Sequence, residues 1–598
     1  MRALLLACAL AGAAGCAGKT FRFSQTDNDR GELAAALAHR ELPAAPAPIN
    51  AAHDPRAFVA VGGPHPAIVA FDLATAKPLW RQPAQLQSRI AVGGAFVVAL
   101  ESHALVARAQ ATGAPLWHAP VDGAFVGVAA DRDRVYLVSA SGGNGQLTAL
   151  DGATGKPLWH AAADGTLGAP AANGVVVYVP YYSQWLAILD GATGAQLARV
   201  RGLDGQIPML FATSREAYYG SPQGVFRLDE QSAAGTRTGA TYRTATIPRE
   251  LEHTLYGPDA YDPVQATYSA DDRARVLWSG VLGDAGYAVH YFRFVFGFDP
   301  QGALVWAYSH PRTELVASAD TGPAIVAVSQ SGDVVALDAR TGELRLDAKL
   351  GTTDPVVGAT FDADGWAPTA TPPAGAPTAV HAPSTTGALV EIVRDRDARF
   401  DRVKELALRA LADQPGGEVT KALLGVLADP RQPGRLADDV VALLAARKDP
   451  TSLPALTAQL QPHVDYIAKS SPLALGAVAK AIAALGDVAV DPAAAQAAQA
   501  ALEAQLDDPA TPPDDLASII GALAAIGHGN ERAALSAHLL LYHCDAELGA
   551  DPLWTKAIAA GVARHAGPAE RALLHAVAAD PRTPSPLADA VREALTAD

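Results

Sequence analysis

Between residues 58 and 362 apolar residues come in short runs that stop at polar turns, and the turns repeat one phrase. "DGATGKPLW" begins at Asp151 and "DGATGAQLA" at Asp190, with looser copies at Asp72, Ala109, Asp299 and Asp338. With Asp229 included, successive anchors stand 37, 42, 39, 39, 70 and 39 residues apart. The stretch "GVVVYVPYYSQWLAILDGATGAQLARV" (174–200) shows the unit: an apolar run, a second apolar run, the phrase, then an outer strand. Apolar runs recurring at a period near ~40 residues predict the blades of a β-propeller. Seven anchors predict seven blades. The 70-residue step leaves room for an eighth, degenerate blade, so the reading is seven-bladed with eight left open.

The phrase has a mechanical reading. An Asp that accepts a hydrogen bond from an N–H two residues on sets an Asx turn. Gly113, Gly155, Gly194 and Gly342 supply the positive φ of a short hairpin loop. Trp80, Trp117 and Trp159 then fall on the following strand, where each can pack between neighbouring blades. The first blade lacks an obvious first strand before "AFVAVGG" (57–63), and "DPVVGATFD" (354–362) can supply it and close the ring.

A Pro/Thr/Ala-rich segment (363–387) follows, and from residue 388 to 598 the period changes. Leu475, Val478, Ile482 and Leu485 precede Gly486, and Leu516, Ile519, Leu523 and Ile526 precede Gly527. Both sets run i, i+3, i+7, i+10, the stripe of a buried helix face, and the offset of 41 predicts a HEAT-like α-solenoid. A looser copy at 435–460 has Asp-Pro opening its second helix.

Composition narrows the function classes. The 598-residue chain carries a net charge of −16 with no Lys/Arg cluster, which argues against nucleic acid and against a polybasic membrane contact. Charged residues at 18% and aromatics at 6% are those of a globular chain. No G-x-S-x-G, H-E-x-x-H or P-loop occurs, so no catalytic residue is assigned. "DADG" (362–365) and "DPRQPG" (429–434) are explained by turn chemistry. In "HLLLYHCD" (538–545) His538 and His543 are five apart and diverge around a helix, so a packed Cys544 beside surface histidines is the reading; no metal or cofactor is assigned. The insertion at 235–268 is the candidate partner face, through Arg237, Tyr242, Arg243, Arg249, Tyr256 and Tyr261. Arg and Tyr are enriched at binding hot spots.

"ALDGATGKPLW" and "ALDARTGEL" resemble the pyrroloquinoline-quinone (PQQ)-type propeller repeat. That repeat serves two groups: the quinoprotein alcohol and glucose dehydrogenases, and non-catalytic members that include the outer-membrane assembly lipoproteins of the BamB family. The resemblance to methanol-dehydrogenase-like enzymes implies a pair of adjacent cysteines over the cofactor, and no such pair is present. The N-terminus, "MRALLLACALAGAAGC", has a basic start, an apolar run too short to span a bilayer and small residues before Cys16. It resembles a bacterial lipoprotein signal (1–15) with Cys16 as the acylated residue, followed by a tether (16–57); Ala17 resembles an outer-membrane sorting signal. Once Cys16 is acylated, Cys544 is the one free thiol of the mature chain. The expectation is a non-enzymatic envelope scaffold on the periplasmic side of the outer membrane, binding other envelope proteins such as β-barrel assembly components. A PQQ-dependent dehydrogenase and an envelope ligand- or glycan-binding protein are the alternatives.

Acylation at Cys16 has a direct test. The wild-type chain should fractionate with membranes and Cys16→Ala should be released, because firm anchoring takes more than one acyl chain. Equal soluble fractions would sink the assignment.

Overall fold

The computed structural model describes residues 54–172, most of 176–229, short strands between 241 and 277, most of 287–368, and most of 385–596 with its longest gap at 461–474, together with Phe21–Phe23. Cys16 and the tether, apart from Phe21–Phe23 and residues 54–57, lie outside these residues, and the first strand of the sheet unit begins at Arg56, inside the expected tether. The chain divides into two compact units between Thr385 and Thr386, the first built of sheets and the second of helices.

Sheet A joins strands Arg56–Val61, Ala67–Asp72 and Lys77–Pro83 to Val356–Asp362, which pairs antiparallel with the first of them. The segment 354–362 thus supplies the strand that the sequence lacks before residue 56. Sheets B (91–120), C (124–163), D (171–201), E (209–245), F (274–309) and G (315–349) each repeat four antiparallel strands in simple up-and-down order. Phe21–Phe23 adds a parallel fifth strand beside Pro157–Ala163 of sheet C.

The strands form where the apolar runs are. Val176–Tyr181 is buried along its whole length, and so is Ala324–Ser329, as inner strands covered on both faces must be. Consecutive sheets share their apolar side chains. One cluster joins Val59, Val69 and Phe71 of sheet A to Val326, Val334 and Leu346 of sheet G. Others join A to B, B to C, C to D and F to G. The last sheet therefore packs on the first.

The 70-residue step resolves into three parts. Thr241–Ala245 is the outer strand of sheet E, paired with Gly224–Asp229. A two-stranded hairpin, Tyr261–Asp262 with Thr267–Tyr268, follows. Ala274–Leu277 opens sheet F. Among the described residues the step holds this hairpin and no eighth four-stranded sheet.

The second unit contains α1 (Thr385–Arg394), α2 (Asp401–Ala412), α3 (Gly417–Leu427), α4 (Gly434–Arg447), α5 (Leu453–Gln459), α6 (Leu475–Ala483), α7 (Pro492–Asp507), α8 (Pro513–Ile526), α9 (Arg532–Tyr542), α10 (Pro552–Arg564), α11 (Pro568–Ala579) and α12 (Ser585–Thr596). The helices stack in two rows. α2, α4, α6, α8, α10 and α12 pack one on the next, as do α5, α7, α9 and α11, and neighbours such as α7–α8 and α9–α10 join the rows. The stripe explains it: Val478, Ile482 and Leu485 are buried where α6 and its C-terminal turn meet α8, and Ile519 and Leu523 are buried on α8. Asp-Pro starts are caps. Asp491 and Asp551 each accept a backbone N–H of the following turn, and Pro occupies the first helical position, where its missing N–H costs nothing.

Leu523→Ala should cost roughly 2–5 kcal/mol, the range for emptying a closed apolar site. Leu541→Ala, at a side chain 72% exposed, should stay within about 0.5 kcal/mol. Urea midpoints of the two variants at unchanged slope check both figures; equal midpoints would contradict the two-row packing.

Candidate functional site

The phrase is a turn with a socket in it. Asp190 Oδ1 accepts hydrogen bonds from the backbone N–H of Ala192 (2.9 Å) and Thr193 (2.8 Å) and from the Thr193 hydroxyl (3.0 Å). Asp72, Asp151 and Asp338 do the same work in sheets A, C and G. Hydrogen bonding to Thr154, hydroxyl first, holds the Asp151 carboxyl below the usual carboxylate range. The glycine N–H then bonds back to the carbonyl of the first residue, at 2.8 Å for Gly155 to Asp151 and Gly194 to Asp190. Ala109 has no carboxylate, and its turn keeps the backbone bonds, Gly113 N–H to Ala109 O at 2.8 Å among them, and the Ala114 N–H to the Thr112 hydroxyl at 3.3 Å.

Tryptophans fill the sockets. Each indole N–H donates to the carbonyl of the phrase's second residue in the next sheet: Trp80 to Gln110 (2.8 Å), Trp117 to Gly152 (2.8 Å), Trp159 to Gly191 (3.0 Å) and Trp306 to Ala339 (3.0 Å). Each ring lies against the glycine of that phrase. A Cβ built on Gly155, at φ +70°, would stand 2.6 Å from Trp117, and one on Gly194 would stand 2.6 Å from Trp159. Glycine is thus needed twice, for the left-handed backbone and for the ring's approach. The sequence reading missed Trp306, because the sheet F turn is one residue shorter: Ala303 N–H bonds Asp299 Oδ1 and brings the tryptophan one position nearer.

A bulge aims each ring. Phe71 pairs with Pro78 and Ala70 with Trp80, so Leu79 between them is unpaired; Leu116, Leu158 and Val305 are skipped in the same way. These four side chains are about half exposed, which accounts for large apolar residues on the outer strands. Sheet G breaks the pattern: Leu346 stands where a Trp would, and its neighbour in the shared cluster is Ala76, at φ 56° in the glycine's position. Between sheets G and A neither the ring nor the glycine is present.

The partner residues expected from the insertion divide. Tyr242 and Arg243 lie in the outer strand of sheet E, opposite Leu228 and Arg227, and Tyr261 lies in the two-residue hairpin strand. Arg237, Arg249 and Tyr256 lie outside the described residues, as does the acyl site Cys16.

The "HLLLYHCD" segment departs from its sequence reading. Cys544 is exposed, not packed. His538 is the buried residue of the group, 4% exposed; it receives the Trp554 indole N–H at 3.4 Å, and burial lowers its pKa. His543 turns away from His538 and meets Asp580, which no sequence pattern flagged. Its Nε2 lies 3.3 Å from Asp580 Oδ2 and 3.1 Å from Cys544 Sγ. Asp580 is gripped by Arg582, Nη2 to Oδ2 at 2.7 Å and Nε to Oδ1 at 3.1 Å, and these bonds hold its carboxyl far below the usual range.

Gly155→Ala should destabilise the sheet unit by more than the roughly 1–2 kcal/mol of a left-handed alanine alone, since the new methyl meets Trp117. Gly155→Ala with Trp117→Leu, which copies the Ala76–Leu346 pair, should lose less than the sum of the two single changes. A strictly additive cycle would refute the socket.

A family model described as "Outer membrane protein assembly factor BamB" matches residues 64–202. No curated protein matches the chain. Among solved structures, BamB from Moraxella catarrhalis is 16% identical, covering 51% of this chain and 85% of its own at a TM-score of 0.32. The computationally designed protein Ika8 is 14% identical, with 51% and 90% covered and a TM-score of 0.34. Likeness at this level carries no weight of its own. Residues 64–202, which hold the phrases at Asp72, Ala109, Asp151 and Asp190, thus carry the BamB-like PQQ-type repeat.

Proposed function

We propose that the chain is a non-enzymatic envelope scaffold of the BamB kind: a seven-bladed β-propeller on a lipid tether at Cys16, followed by a HEAT-like α-solenoid, on the periplasmic side of the outer membrane. The observation that carries the reading is the BamB-family match over residues 64–202. The seven four-stranded sheets A to G support the count of seven blades, and the pairing of Val356–Asp362 with Arg56–Val61 supports a closed ring. The shared cluster between sheets G and A supports the same closure. Two rows of stacked helices at a sequence offset of 41 support the solenoid. Among the described residues no helix is long and apolar enough to cross a membrane. The phrase needs no ligand: its Asp, Thr, Gly and Trp are each occupied in building and joining sheets. Broad repeat surfaces of both kinds suit protein partners, and the resemblance points to components of outer-membrane β-barrel assembly.

Pull-down from detergent-solubilised membranes, with the recovered proteins identified by mass, tests the role. Wild type should recover β-barrel assembly components. Tyr256→Ala with Arg243→Ala should reduce recovery by tenfold or more, since truncating central interface Tyr or Arg costs about 2 kcal/mol or more. Recovery of no assembly component, or calcium-dependent oxidation of alcohols or sugars after loading with PQQ, would overturn the reading.

A further inference from the structure

His543 and Asp580 are the C-terminal cap positions of α9 and α11, two helices that pack on each other. Helix C-termini carry partial negative charge, so two of them meeting favour a cation. Cys544 follows His543, and the ligand atoms His543 Nε2, Cys544 Sγ and Asp580 Oδ2 all lie within 4.8 Å of one another. Around a tetrahedral zinc ion, bonds of the usual length put nitrogen, sulfur and oxygen ligands about 3.4–3.6 Å apart. The observed separations from Nε2, 3.1 Å to sulfur and 3.3 Å to oxygen, are within a few tenths of an ångström of that, and the third pair, Cys544 Sγ to the Asp580 carboxylate, lies within 4.8 Å and closes by rotation of the exposed Cys544 side chain.

The second coordination layer is also in place. His543 Nδ1 lies 2.8 Å from the carbonyl of Leu540, the bond that fixes a ligating imidazole's tautomer and leaves Nε2 with its lone pair. With a proton on Nδ1 alone, Nε2 and Asp580 Oδ2 are both acceptors that a cation can join; in the imidazolium form Nε2–H donates to Asp580 Oδ2 instead, and a bound cation replaces that proton. Arg582 fixes the plane of the carboxylate: its backbone N–H and Nε both donate to Oδ1, and Oδ2 keeps a lone pair beyond the one that accepts from Nη2. An imidazole, a thiolate and a carboxylate together suit zinc better than magnesium or calcium, which prefer all-oxygen sets.

We propose that His543, Cys544 and Asp580 form a binding site for a zinc-class divalent cation at the turns of the helical unit, with a fourth position left to water. The site is independent of the scaffold role and of the sheet unit.

The untagged full-length chain, stripped with a chelator, is titrated with zinc against a metallochromic competitor, and separately with cobalt(II). One ion should bind per chain, and the cobalt form should show a thiolate-to-metal charge-transfer band. Cys544→Ser changes an exposed side chain and should keep the fold by circular dichroism, lose the band and weaken zinc at least about tenfold. Asp580→Asn should weaken zinc to a similar degree, whereas His118→Ala, at an exposed histidine of the sheet unit, should bind as wild type. No zinc uptake, uptake unchanged in Cys544→Ser, or a cobalt spectrum without the thiolate band would each overturn the site.

Discussion

One contact recurs through the sheet unit and sets its spacing: an indole of one sheet seated on the glycine of the next, with its N–H given to a carbonyl of the same turn. Trp80, Trp117, Trp159 and Trp306 all make it. The contact couples three requirements. The turn must be left-handed at the glycine, the outer strand must bulge one residue before the tryptophan, and the sheets must lie close enough for the ring to touch backbone. Losing the ring leaves a void of a kind that costs roughly 3–5 kcal/mol and orphans a buried carbonyl. Sheet-to-sheet packing therefore depends on turn chemistry, although the bulk of the buried area lies in the inner strands.

The variations show which parts of the phrase are separable. Ala109 dispenses with the carboxylate, because the backbone bonds of its turn survive and Gly113 still receives Trp80. Ala76 dispenses with the glycine only where Leu346 replaces the ring. Asp299 keeps the carboxylate in a shorter loop and still delivers Trp306 to Gly342. The aspartate is an accessory of the turn, whereas glycine and tryptophan meet in each of the four sockets at Gly113, Gly155, Gly194 and Gly342. In a segment repeated this often, the Asp carboxylate, the glycine N–H and the indole N–H are bonded within the turn or to the next sheet, so the phrase joins strand to strand and sheet to sheet.

The helical unit distributes its chemistry differently. Its apolar stripes are spent on the two rows, and its Asp-Pro starts are spent on caps. The C-terminal turns of α9 and α11 are another matter. His543, Cys544, Asp580 and Arg582 gather there on partly exposed backbone, joined by polar contacts that contribute little to burying a core. Exposed groups of this kind add little stability, so their convergence is better explained by what they can hold.

Local and periodic features were legible in the sequence by itself. The Asp–Thr–Gly turn, the period near 40 and the i, i+3, i+7, i+10 stripes rest on backbone geometry within a few residues, so the anchors, the glycines and the buried helix faces could be read directly. The residues 354–362 could be named as the missing strand because the repeat had one strand too few. Other features needed the tertiary structure, because they join residues whose separation in the chain carries no period. Trp306 escaped a rule written for the longer turn. Tyr242 and Arg243, grouped with an insertion by spacing, belong to a strand because Gly224–Asp229 offered them a free edge. Cys544 looked packed in a Leu-rich segment, yet it falls just beyond the end of α9, where the helix has turned outward. Asp580 lies 37 residues from His543, and only the packing of α9 on α11 brings the two helix ends, and with them the ligand atoms, together.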